Sequence, residues 1–112
     1  PVIARAEVEQ VIMLPRRWLP ISLDLMGTRS VLADSHRVKM TLAEKGSGKI
    51  TVQEDWPLSS SDQQQVVLDC SKLKPGKYQW QINLVNASSG EIAAGELGAS
   101  GEMEALKGPF SE

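Results

Sequence analysis

The sequence predicts an all-β sandwich of seven to eight short antiparallel strands with an extended N-terminal segment. Three observations carry that reading. Apolar residues recur at every second position through most of the chain, which is the spacing of a strand with one buried face and not of a helix. Turn-forming clusters such as EKGSGK and NASSG separate these runs at short intervals. A chain of 112 residues that is 41% hydrophobic is large enough for a single core without disulfide staples, so one sandwich over residues 18–107 is expected. Residues 1–17 then form an N-terminal strand or assembly arm, and residues 108–112 a C-terminal tail.

In chain order, residues 4–8 alternate, whereas Val11, Ile12, Met13 and Leu14 are apolar without a break, as in a strand buried on both faces. A helix over residues 4–13 is the competing reading, because Ala, Glu, Gln and Arg form helices readily. Pro15 ends either element. In WLPISLDLMG, Ile21, Leu23 and Leu25 share a face opposite Ser22 and Asp24. The segment SVLADSHR reads as a loop. Val38, Met40 and Leu42 alternate with Arg37, Lys39 and Thr41, EKGSGK turns, and Ile50 and Val52 resume against Thr51 and Gln53, which makes a β-hairpin. After a polar loop over residues 59–62, Val66 and Leu68 mark a short strand. In KPGK, Pro75 pre-sets its φ and Gly76 tolerates a positive one, as a type II turn requires. The following strand turns Tyr78, Trp80, Ile82 and Leu84 inward. NASSG leads into EIAAGEL, Gly95, Gly98 and Gly101 mark a bend or bulge, and GEMEAL closes the fold with Met103 and Ala105 facing in.

Composition narrows the partners. A formal net charge of -2 gives no electrostatic reason to expect nucleic acid. Cys70 is the sole cysteine, so no intrachain bridge can form, which suits a reducing compartment or a particle assembled in one. PVIARAEVEQVIMLPRRW has charges where a secretion signal would be apolar, and no apolar run approaches the length of a membrane span.

The stretch LKPGKYQWQINLVN resembles the Leu-x-Pro-Gly-x-Tyr segment that enters the penultimate strand of fibronectin type III and immunoglobulin-like sandwiches. The resemblance implies that the Tyr78 hydroxyl bonds back to nearby backbone and that Leu73 anchors the turn. Fibronectin modules place one more residue between the Gly and Tyr. Over residues 18–106, the succession PISLDLMG, VKMTLAEKGSGKITV, VVLDCSKLKPGKYQWQINL and SSGEIAAGELGASGEMEAL is similar to the immunoglobulin-like N-terminal domain of baseplate upper proteins and related virion proteins of tailed bacteriophages. That resemblance implies a part that holds other virion parts, assembled in the host cytoplasm.

Residues with chemistry in them have simpler explanations. Asp34, Ser35 and His36 are the types of a hydrolase triad, but sequence neighbours do not converge with triad geometry, and His36 reads as a loop histidine. With Asp34 and Asp55 it lacks the ligand count of a zinc or calcium site. Cys70 has no second histidine to activate it and reads as a small buried hydrophobe. Glu54 with Asp55, and Glu102 with Glu104, read as solvated strand faces, not as a glycosidase pair. Trp18 and Trp56 are candidates for a sugar platform, although aromatic residues more often anchor cores and interfaces. Asn86, Ala87 and Ser88 match a glycosylation acceptor and read as a turn.

The expected function is therefore non-enzymatic: a tail, baseplate or fibre-adaptor component of a tailed phage that contacts other virion proteins and copies of itself. It would use no cofactor, metal, small-molecule ligand, nucleic acid or membrane. Capsid decoration and a fibronectin-like bacterial binding module are the alternatives. The residues expected at the assembly interface are Val2, Ile3, Val8, Val11, Ile12, Met13, Leu14, Arg16, Arg17, Trp18 and Phe110. Leu73, Pro75, Gly76, Tyr78 and Trp80 form the structural corner. Removing residues 1–14 is expected to abolish assembly and leave a folded monomer, or to unfold the chain if the segment is a core strand.

Overall fold

The computed structural model describes residues 2–26, 35–59, 61–92 and 98–109. Among them there are eight strands and no helix: β1 (Val2–Glu7), β2 (Val11–Leu14), β3 (Trp18–Met26), β4 (His36–Glu44), β5 (Ile50–Pro57), β6 (Gln63–Asp69), β7 (Gly76–Asn86) and β8 (Ala99–Lys107). They form two sheets, a three-stranded one in the order β1-β3-β6 and a five-stranded one in the order β2-β8-β7-β4-β5.

The alternation seen in the sequence is what closes the core. On β3, Leu19, Ile21, Leu23 and Leu25 are buried, and on β6 Val66 and Leu68 join them. From the larger sheet come Val38, Met40 and Leu42 of β4, Tyr78, Trp80, Ile82 and Leu84 of β7, and Met103 and Ala105 of β8. Burying one large aliphatic side chain stabilises the fold by about 1.5–3 kcal/mol, so these inward rows decide which face of each strand turns in. The hairpin of β4 and β5 turns through Gly46 and Gly48, at φ +105° and +73°, and the Glu44 amide donates to the Lys49 carbonyl at 2.8 Å. Left-handed backbone of this kind suits glycine.

Several expectations change. The N-terminal segment is neither a helix nor a detached arm: β1 pairs antiparallel with β3, and β2 crosses to the other sheet, where it pairs parallel with β8. The strands are thus not all antiparallel. β2 is not buried on both faces, because its exposure alternates, with Ile12 and Leu14 inside and Val11 and Met13 outside. In β1 a register shift between Ile3 and Arg5 lets Ile3 and Ala6 both reach the core.

Ile50 is exposed instead of inward. A register shift where Leu42 faces Val52 and Ala43 faces Ile50 turns the start of β5 outward, while Val52 packs on the core as expected and Trp56 joins it. His36 opens β4, paired with Asn86, and is not a loop residue. Gly101 lies within β8 opposite Trp80, not in a bend. Gly76 begins β7 at φ +154°, well beyond the value near +80° of a type II turn. Of EIAAGEL, Ile92 makes a single bridge to Val85, while residues 93–97 lie outside the described residues. Most of SVLADSHR lies outside them as well.

Candidate interaction surface

The residues expected at the assembly interface separate into three places. Ile3, Ile12 and Leu14 are core residues, and Val8 packs against the core from its margin. Val11 and Met13, at 54% and 48% exposure, stand on the outer face of the five-stranded sheet. β2 is an edge strand there, and the register places Met13 beside Leu106, which is 39% exposed. Val11, Met13 and Leu106 thus make a short apolar row along an edge. Isolated exposed apolar residues are ordinary on protein surfaces, but a row that coincides with an open edge favours association. The side chain of Val2 and the whole of Phe110 lie outside the described residues.

The third place is the outer face of the smaller sheet. Trp18 is 52% exposed at the start of β3, and the Arg17 guanidinium carbon lies 4.6 Å from its ring centroid, within cation–π range. Arg17 Nε approaches Asp69 Oδ2 at 3.8 Å. Pro20, two residues on, faces the exposed Val67 of β6. Arg16 looks elsewhere, pairing with Glu9 Oε2 at 2.5 Å and donating from Nε to the Trp18 carbonyl at 3.1 Å. The residues flagged between 2 and 18 therefore present two separate outward surfaces joined through residues 15–17, not one continuous arm. Leu106 and Val67 were missed by the sequence reading. Their signal was an apolar residue in the outward phase of an otherwise alternating strand.

At the corner the tyrosine hydroxyl reaches back to the backbone, although Gly76 does not take type II turn geometry. Tyr78 Oη donates to the Lys74 carbonyl at 2.6 Å, the phenol is buried, and Leu73 is buried beside it. Burial pushes the Tyr78 hydroxyl above its ordinary range. Just past β6, Cys70 is buried too, and desolvation pushes its thiol up to about 11, far from the thiolate that a nucleophile needs. Asp69 accepts from the Ser71 amide at 2.9 Å, which holds its carboxyl below the ordinary value.

Most of the remaining chemical candidates are engaged by neighbouring side chains. Ser35 Oγ lies 2.8 Å from His36 Nδ1, and Asp34 lies outside the described residues. Asp55 Oδ1 takes both Nε and Nη2 of Arg37, at 3.0 and 2.8 Å. Glu54 and Asp55 point to opposite faces of β5, and Glu102 pairs with Lys45 at 2.8 Å. Trp56 packs on the core, leaving Trp18 as the exposed member of the proposed sugar platform. Among the described residues, no three His, Cys, Asp or Glu side chains gather as a metal site would need, and no helix is long and apolar enough to cross a membrane.

Comparison with solved structures places this architecture among immunoglobulin-like β-sandwiches. One similar structure is the CARDB domain of a Pyrococcus furiosus protein, described as a complex with di-metal ions. It matches with a TM-score of 0.57 at 10% sequence identity, over 91% of this chain and 89% of that one, a likeness of fold alone. No protein-family model matches the chain, and no curated protein sequence does.

Proposed function

We propose that the chain is a non-enzymatic structural module that works by protein–protein contact, and that its place is in the tail or baseplate of a tailed-bacteriophage virion. The contact reading is carried by one observation, the apolar row of Val11, Met13 and Leu106 along the edge strand β2. A second copy of the chain laying its own edge or face there would remove that row from water and satisfy the open backbone groups of the edge. The virion placement is supported by the resemblance of residues 18–106 and by nothing else. A second reading, a binding module within a longer protein, is favoured by the similar fold being described as one domain of its protein.

Light scattering at micromolar concentration tests the contact reading. The unaltered protein should give the mass of a defined oligomer, and the double substitution Val11→Glu with Met13→Glu should give a monomer with an unchanged β-type circular dichroism spectrum. A monomeric unaltered protein, or an oligomer indifferent to both substitutions, would remove the edge row from the argument.

A further inference from the structure

At one end of the sandwich three chain segments meet around a groove of about 570 Å³: the turn from β2 into β3, the turn from β6 into β7, and the last residue of β8. Its apolar surface comes from Leu14, Pro15, Leu73 and Pro75. Arg16, Arg17, Lys74 and Lys107 also line it, and among the described residues no carboxylate does. Arg16 and Arg17 are partly compensated from outside the groove, by Glu9 and Asp69. Lys74 and Lys107 have no ion-pair partner among the described residues. A protein of net charge -2 thus gathers four basic side chains at one concave, apolar-floored place, two of them without an ion-pair partner among the described residues.

The walls are tied to one another through the backbone. The Cys70 amide donates to the Arg17 carbonyl at 2.6 Å, joining the two turns, and the Gly108 amide donates to the Leu14 carbonyl at 2.7 Å, joining the end of β8 to β2. Tyr78 Oη donates to the Lys74 carbonyl, which fixes the backbone of one of the two lysines. A groove held in this way is formed before anything binds, so little ordering cost falls on the encounter.

We propose that this groove is a docking site for an acidic, apolar peptide segment of a partner protein. An apolar side chain of the segment would lie on the proline and leucine floor while flanking carboxylates meet Lys74 and Lys107. Nucleic acid fits less well, because none of the described residues lining the groove offers an aromatic ring for bases to stack on. The site is separate from the self-contact edge, since neither Val11 nor Met13 lines it.

Fluorescence anisotropy with a labelled, capped octapeptide alternating glutamate with leucine and phenylalanine tests the proposal. Binding is expected with the intact protein and with the Val11→Glu, Met13→Glu variant, so the result stands apart from self-association. It should weaken as salt is raised from about 50 to about 300 mM, over which the screening length falls by more than half. Substituting Lys74→Glu together with Lys107→Glu should weaken it at least about tenfold with an unchanged melting temperature, since both side chains are exposed. A control peptide with serine for every apolar residue should bind much more weakly. No binding at about 1 mM, unchanged affinity in the double lysine variant, or equal binding of the serine peptide or of a short single-stranded oligonucleotide would each overturn the proposal.

Discussion

Trp80 and Gly101 face one another across β7 and β8, and the indole lies over the place where a larger residue would put its side chain. A Cβ at position 101 would come within 2.5 Å of Trp80 Cζ2, so the glycine is required for room and not for backbone freedom. Trp80 in turn is 8% exposed and belongs to the core, so the ring cannot shift without disturbing its packing. The substitution Gly101→Ala is therefore expected to destabilise the protein by about 1–3 kcal/mol through overpacking, read as a lower urea midpoint with an unchanged slope. A loss below about 0.5 kcal/mol would show that the ring can shift at little cost.

At the scale of elements, the N-terminal segment decides more than its composition suggests. β1 contributes Ile3 to the core through the smaller sheet, and β2 contributes Ile12 and Leu14 through the larger one. Deleting residues 1–14 would uncover an edge of each sheet and withdraw three buried side chains, each worth about 1.5–3 kcal/mol. The expected product is an unfolded or aggregating chain, seen as lost near-ultraviolet circular dichroism; a folded, monomeric fragment would show that the segment is dispensable for the core. Legibility followed the same boundary. The faces of β3, β4, β6, β7 and β8 were readable because each has one dry and one wet side and the phase persists along the strand. The start of β5 was not: Val52 faces in as expected but Ile50 does not, because the shift opposite Leu42 and Ala43 arises from pairing and leaves no mark in the local pattern. Nor was the outward direction of Val11 and Met13. Four consecutive apolar residues carry no phase of their own, and the face is set by β8, from the far end of the chain. At the corner the bond from the Tyr78 hydroxyl to nearby backbone was readable because its partners are close in sequence, whereas the backbone angle of Gly76 was not.

For the whole molecule, the ionisable groups that folding perturbs set stability limits at both ends of the pH scale. Asp69 and Glu102 have lowered pKa values, through bonds to Ser71 and to Lys45, so their contribution is complete above their ordinary values of 3.8 and 4.5 and disappears as pH falls below them. Cys70 and Tyr78 are shifted upward by burial, so folding favours their neutral forms. That contribution is complete below 9.0 for Cys70 and fades as pH rises toward about 11, with Tyr78 adding to the loss above 10.0. Urea midpoints measured from pH 3 to 11 should form a plateau between these limits. The variant Cys70→Ala should show a shallower decline above pH 9, and an unchanged decline would assign the alkaline limb to other groups.

The parallel pairing of β2 with β8 also has a mechanical consequence. Tension applied between the start of β2 and the end of β8 would pull these strands in opposite directions along their common axis, so that once β1 had parted from β3 the bonds from Val11–Leu14 to their partners would be loaded together, in shear. An antiparallel partnership of the same strands would open one bond at a time. This placement makes β2 and β8 a clamp against extension along their common axis, standing behind the pairing of β1 with β3.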